Sequence, residues 1–462
     1  MRSRIPGVMP GRLRDSVAVL PPDIAVLAEG EVDASIRWLW DHSESDAGLP
    51  GYGLVLDRDD RADSPCSVAA TGFALATWVL GVERGLLDRD AVLARTRGTL
   101  RSLLGLPQRG GLLAHFVDAT TGKRWERSEY STIDTALALD GAIVAAQFFD
   151  DDECSALVEQ LLERVDWAAL VFTDDGERTL LRMTRVDAGD PEVYGEPDAA
   201  GFLGAWDMTA EQLTLYLLAA GHPDPNSPFA ISEATARELL HGFARPVGTY
   251  AGHEVVYEWG GTLFVYHFPH AFWPFGVDDS GLNWWENSVS ATAANAAWCA
   301  AQGRLPRPAF RSPAGSRTFA GGLWGTSACD GPWGYQVGGA EPARPPAPYY
   351  DGTISPASLV ASLAFRPVEA SAALRLLRDR HPGAWDSQYG LCDGVNLDPG
   401  NWYSKSRLGI NKGQTALLGA AALGSTLVWE LFNSHPWIQR GIQAIGLSPA
   451  IPLAAKGPPS SL

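Results

Sequence analysis

Residues Ser131 to Val165 read STIDTALALDGAIVAAQFFDDDECSALVEQLLERV. The run predicts two helices, Ser131 to Phe149 and Asp152 to Val165, joined by a tight acidic turn. The first is apolar almost throughout and rich in Ala and Gly, so another helix can approach it closely. Ser131 reads as its N-cap and Asp134 as the acid of its first turn.

Helical spacing recurs along the chain. It predicts helices over Asp33–Trp40, Ser67–Gly85, Asp88–Leu104, Thr209–Ala220, Ser232–Phe243, Asn287–Gln302, Pro356–Phe365, Pro367–Arg378, Gln414–Phe432 and Pro436–Ile445. With the opening pair that is roughly twelve helices. Many are adjacent in pairs, and long connections alternate with short ones. The expected fold is therefore all-α: an (α/α)6 toroid with an inner and an outer ring of helices. Inner-helix N-termini would surround a central cleft, deepened by long loops. Strand-like runs at Leu112–Phe116 and Val255–Val265 would add short β-hairpins to that rim.

The chain has 462 residues, 46% hydrophobic and 19% charged, which are globular values. Proline gathers at Arg304–Pro313 and Pro342–Pro348, but aromatic-rich motifs flank both runs. They read as loops over one domain, residues 1–462, with 1–30 and 449–462 as peripheral extensions. The net charge of -18 excludes a sequence-independent nucleic-acid binder and an anionic membrane surface as partners. It leaves a neutral glycan unaffected. Five scattered cysteines match neither a zinc site nor a redox pair. With no secretory signal and no apolar run long enough to span a bilayer, a cytoplasmic location is expected.

A second stretch carries the chemistry. Leu263 to Ser288 reads LFVYHFPHAFWPFGVDDSGLNWWENS, with Trp259, Trp298, Trp324 and Trp333 in neighbouring segments. Pyranose faces stack on indoles, and hydroxyls take hydrogen bonds from carboxylates and amides. The interleaving of rings with charges points to a sugar site. Glycosidic cleavage generally needs two carboxyls, one kept protonated by an apolar setting. Candidates are Glu129 and Asp134 at the start of the opening helix, with Asp140 further along it. Glu211, before the apolar run Leu213–Ala220, is the choice for the acid. Glu286 in NWWENS, Asp330 between Trp324 and Trp333, and Asp351 in DGTISP complete the set, although Asp351 also reads as a turn cap. There is no GxGxxG after a strand, no P-loop and no GxSxG elbow. His267 and His270 lack a zinc-site context.

Seven pieces, in order, resemble the glucoamylase-like family of bacterial β-1,2-glucanases and the transglycosylase domain of cyclic β-1,2-glucan synthases. They are SVAATGFALATWVLGVERG, SEYSTIDTALALDGAIVAAQFF, EQLTLYLLAAG, NWWENS, WGTSACDGPWGY, DGTISPAS and GLCDGVN. The resemblance implies an (α/α)6 barrel and hydrolysis of a β-linked glucan, specifically β-1,2-glucan. It implies catalytic roles for Glu129 and Glu211, with Asp134 and Glu286 at acidic cleft positions. The alternatives are a glucan transglycosylase, a carbohydrate-binding relative without catalysis, or an isomerase relying on His267 and His270. The expected catalytic set is Glu211, Glu129 and Asp134. The expected substrate-binding set is His270, Trp273, Asp279, Trp285, Glu286, Trp324, Asp330, Trp333 and Asp351. No metal and no cofactor is expected, and the partner is a glucan chain. The chain departs from the family at Pro274 and Asn411, where relatives carry acids, at Asn283–Glu286, and at Ala420–Gly424.

Overall fold

The computed structural model describes residues 19–453 except 62, 188, 191–196, 307–311 and 346–349. Among these residues, fourteen helices exceed one turn. They are α1 (Pro22–Asp41), α2 (Val68–Glu83), α3 (Arg89–Gly105), α4 (Thr132–Phe149), α5 (Asp152–Glu163), α6 (Leu213–Ala220) and α7 (Glu233–Gly242). The series continues with α8 (Leu263–Phe272), α9 (Trp284–Gly303), α10 (Pro356–Ala361), α11 (Pro367–Arg380), α12 (Gly409–Ala422), α13 (Leu427–Ser434) and α14 (Pro436–Ile445). The named strands among these residues all pair antiparallel and are short, and the largest sheet has four strands built around Thr179–Arg185.

The helix starts follow local chemistry. Ser67, Asp88, Ser131, Asp151 and Ser232 each accept an N-terminal amide at the head of α2, α3, α4, α5 and α7. The acidic turn between α4 and α5 works through Asp150, in the left-handed region at φ 53°, followed at once by the capping Asp151. α2, α4, α6 and α12 are buried along almost their whole length. α2 packs on α4 and α12, and α4 packs on α6. α8 packs on α10, α12 and α13, and α10 packs on α12.

The closest crossing joins α2 to α4. A Cβ on Gly141 would meet the carbonyl oxygen of Gly72 at 1.8 Å, and one on Gly72 would meet the Leu137 oxygen at 2.1 Å. Backbone here lies directly on backbone. The strands Cys66–Ser67 and Tyr130–Ser131 run straight into these two helices. The crossing thus sets how the two N-termini stand to one another.

Four expectations are corrected. The run Gln414–Phe432 is two helices, α12 and α13, bent by 102° at a break containing Gly424 in the left-handed region. Leu263–Phe272 is a helix rather than a strand continuation. Its run of aromatic residues reads as a strand, and Pro269 in its last turns reads as a breaker. Residues 22–30 are not peripheral: they open α1, with Ile24 and Ala28 fully buried. At the other end, Pro449 bridges to Phe275 and Ile451 is buried, while 454–462 lie outside the described residues. By length and composition α4 would also cross a bilayer, but 83% of that window is buried within the protein.

Gly141→Ala should destabilise the protein by about 1–3 kcal/mol, because the added methyl collides with backbone that cannot rotate away. Gly30→Ala, where nothing lies within 4 Å of the added Cβ, should stabilise α1 by about 0.5–1 kcal/mol. Urea unfolding of both variants checks the contrast. Equal and small effects would show that the α2–α4 crossing is not tight.

Candidate active site

Glu129, Asp134, Asp57 and Glu211 all feel the charge of one histidine, His115, and Glu258 stands beside Glu211. His115 follows the strand Leu112–Leu113 and pairs with Glu129 on the chain leading into α4. The His115 amide donates to the Glu129 carbonyl at 2.8 Å, and the ring Nδ1 meets Glu129 Oε1 at 2.9 Å. On the other side, His115 Nε2 lies 3.5 Å from Asp134 Oδ1. One imidazole therefore bridges two carboxylates. Burial opposes its charge, but Asp134 and Glu129 outweigh that and hold the imidazolium up to about 9. Burial would raise Glu129, yet the hydrogen bond and charge of His115 bring it below its ordinary value. Asp134 is buried and its amide donates to the capping Ser131 hydroxyl; burial raises its carboxyl, with His115 pulling the other way.

Glu211 stands in a different setting, just before the head of α6. The residue opens partly to solvent, but its Oε2 is shut in and has no hydrogen-bond partner. Burial pushes its carboxyl up to about 8, aided by the charges of Asp134 and Glu258 and opposed by His115. At neutral pH Glu211 holds its proton while Glu129 is ionised. Glu258 occupies the turn before α8, where the amides of Gly260 and Thr262 donate to its two oxygens. Burial still raises it to about 7, against those donors.

A second group lies across from this one. Asp393 is buried, accepts from Asn411 Nδ2 at 2.8 Å and from the Asp330 amide at 2.6 Å, and is raised by burial to about 6. Asp330 accepts from Ser404 at 2.7 Å and lies 3.4 Å from Arg58. Tyr335, on the hairpin Ala328–Gly331 with Gly334–Val337, is half exposed overall, yet its phenol end lies deep enough to feel charge from both groups. Desolvation first, then the charges of Asp393 and Asp57, with Glu211 contributing, raise its phenol. Trp333 at the hairpin tip and Trp259 beside Glu258 are exposed at 37% and 47%. Arg344 packs over the Trp259 ring at 4.5 Å.

The structure thus brings Glu129, Asp134 and Glu211 together and adds Asp330 and Trp333 nearby. The other expected binding residues go elsewhere. Trp273 is fully buried, with its indole N–H on Asn433, and Trp324 lies in the core. His270 is buried against Ser288, and burial lowers both His267 and His270 to about 3. Two neutral, walled-in imidazoles leave the isomerase reading without its catalytic groups. Trp285 packs on His270 at 5.0 Å and on Phe365 at 4.7 Å. His270 sits in the last turn of α8, whereas Glu258 sits at its head, and ten helical residues span about 15 Å. Trp285 therefore belongs to the far end of α8. Glu286 is exposed near the head of α9, its amide held by Asn283. Asp279 is exposed and paired with His241 at 2.8 Å. Asp351 Oδ1 takes bonds from Gln336 and from the amide and hydroxyl of Thr353, which is the turn cap.

The polar residues interleaved with those rings are structural. Asn283 caps α9, Asn287 clasps both backbone groups of Val256, and Ser288 bonds the Tyr266 carbonyl. Sequence reasoning missed His115, Asp57, Glu258, Asp393 and Tyr335. A histidine inside an apolar strand-like run, and an acid between glycines in GLCDGVN, were the available signals. Among the described residues, no group of three or more His, Cys, Asp or Glu side chains is arranged to hold a metal ion.

Residues 204–436 match the family model named Glycoamylase, described as "Putative glucoamylase". The chain belongs to that family. The match holds Glu211, Glu258 and Asp393, while His115, Glu129 and Asp134 precede it. An exo beta-1,2-glucooligosaccharide sophorohydrolase (non-reducing end) of Parabacteroides distasonis is 25% identical over 448 residues, covering 89% of this chain. The chain spans 57% of that relative's length. The endo-beta-1,2-glucanase of Chitinophaga pinensis, solved with sophorotriose and glucose, superposes with a TM-score of 0.75 at 20% identity. That superposition covers 93% of this chain and 99% of that one. A beta-1,2-glucanase structure from Parabacteroides distasonis gives 0.72 at 24% identity, over 91% of this chain and 59% of that one. These likenesses carry the fold of this glycoamylase-family chain.

His115→Gln should move the acidic limb of any glycosidase pH–rate profile upward, because Glu129 loses the cation that keeps it ionised. The stability that His115 adds is fully present below its ordinary 6.5 and is lost as pH rises through about 9. In the variant that loss on the alkaline side should vanish from the melting-temperature profile. An unmoved acidic limb would mean that the bridge does not set Glu129.

Proposed function

We propose that this chain is a glycoside hydrolase that cleaves a β-linked glucan, and that β-1,2-glucan is its substrate. One observation carries the reading. A protonated carboxyl with a shielded, unpartnered oxygen, Glu211, stands in one electrostatic group with a carboxylate held ionised, Glu129. Two carboxyls whose environments push them in opposite directions are an acid and its counterpart. The names of the sophorohydrolase and the endo-glucanase support the linkage.

In this reading Glu211 gives its proton to the glycosidic oxygen as the bond to the anomeric carbon breaks. Glu129 takes a proton from the water that attacks that carbon. Asp134 and His115 hold the charge balance, and Trp259 and Trp333 supply stacking faces. We also propose that α2, α4, α6, α8, α10 and α12 are the inner ring of an (α/α)6 toroid. Their burial, their alternation with more polar helices and the packing of α4–α2–α12–α10–α8 support it. α13 and α14 pack where α6 and α8 do not meet closely.

The pH–rate profile should be bell-shaped. The rate rises as pH climbs through the lowered pKa of Glu129, and falls as pH passes about 8 and Glu211 loses its proton. Glu211→Gln should lose about 10²–10⁴-fold in kcat on sophoro-oligosaccharides while still binding them. Undiminished turnover would remove Glu211 from the role of acid. Products lengthened onto an added acceptor sugar would point to transfer in place of hydrolysis.

A further inference from the structure

One buried acid has no part in that mechanism. Asp140 lies in the middle of α4, fully buried, with a single partner: the Thr214 hydroxyl donates to its Oδ2 at 2.6 Å. Its Oδ1 has none. Burial drives the carboxyl well above its ordinary value inside an otherwise apolar helix. A hydrophobic side chain of similar volume would avoid that desolvation and pack at least as well. Packing alone gives no reason for a carboxyl there.

The location of its partner supplies one. Thr214 is in the first turn of α6, three residues after Glu211. Five residues before Glu211, the Trp206 indole N–H donates to the Thr132 hydroxyl at 3.0 Å, at the head of α4. Two tethers therefore tie the Glu211 segment to α4. They bracket Glu211 on one chain and Asp134 on the other. They stand about 12 Å apart along the α4 axis, eight residues at the helical rise. Between them Gln212 bonds the Met208 carbonyl at 2.9 Å, which stiffens the segment itself.

We propose that Asp140 is a positioning residue: its bond to Thr214, with that of Trp206 to Thr132, clamps the Glu211 segment on α4 and fixes the spacing of Glu211 from Asp134. The proposal rests on Glu211 being the acid. Spacing matters because a misplacement of about 1 Å can cost on the order of 10²-fold in rate. Asp134 is also one of the charges that keep Glu211 protonated, along with Glu258, against the opposing His115, and Tyr335 faces the same carboxyl.

The test uses three variants of the full chain. Asp140→Leu and Thr214→Val remove the bond and keep the number and branching of side-chain heavy atoms, whereas Asp140→Asn keeps an acceptor for the Thr214 hydroxyl. The first two should lose about tenfold or more in kcat with KM unchanged, and their basic limb should move below about 8. Asp140→Asn should keep both kcat and the limb. Asp140→Leu should melt no lower than the parent at pH 7, which separates the effect from lost stability. If Asp140→Leu fails to fold, Thr214→Val carries the test alone. A ¹³C NMR titration of the Glu211 carboxyl reads the same spacing without any substrate. A lower midpoint in Thr214→Val but not in Asp140→Asn supports the clamp even if Glu211→Gln were to stay active and the acid assignment fell. An unchanged midpoint, or unchanged kcat and basic limb in folded Asp140→Leu and Thr214→Val, would overturn it.

Discussion

The contact of Gly72 with Gly141 is the constraint on which the rest of the molecule depends. Neither position tolerates even a methyl group, so α2 and α4 meet backbone to backbone. That contact sets the relation between two strand-to-helix junctions, at Ser67 and at Ser131. His115, hydrogen-bonded to the residue that enters α4, then reaches both Glu129 and Asp134. α6 is tied to the same α4, so Glu211 inherits the position of the crossing. Precision at the site comes from helices that cannot slide, with polar loops hung from their N-terminal ends.

The electrostatics follow from that placement. In a chain with a net charge of -18, clustering carboxylates is unfavourable unless something divides them. His115 does so by taking two carboxylates to itself, and Glu211 is left to burial. The same local negative charge that His115 neutralises on one side raises Glu211 on the other. Opposite protonation states thus arise within one small group of acids, with no charge brought in from outside the fold.

Much of this was legible in the sequence because it is local. Helix periodicity and caps at Asp88 and Ser131 depend on neighbours in the chain, and they agree with the structure. Glu129, Asp134 and Glu211, which the fold brings together, were legible as candidates because an acid at the edge of an apolar helix stands out. What failed was long-range. α8 is rich in aromatic residues and carries Pro269, so its sequence reads as a strand with a breaker. NWWENS has the composition of a sugar site, but its amides and hydroxyls serve the packing of α9 on α8 and on the hairpin before it. His115 and Glu258 look ordinary in the chain, and only the fold brings them to Glu129 and Glu211. Asn411, read as a lost acid, turns out to hold the acid Asp393.

The central claim is an acid–base pair serving a β-linked glucan. Its most direct test is incubation of the protein with β-1,2-, β-1,3-, β-1,4- and α-linked glucans, followed by chromatographic analysis of the sugars released. The account predicts release from the β-1,2-linked polymer and none, or far slower release, from the others. Cleavage of an α-linked glucan, or no release from any of them by a folded protein, would contradict it.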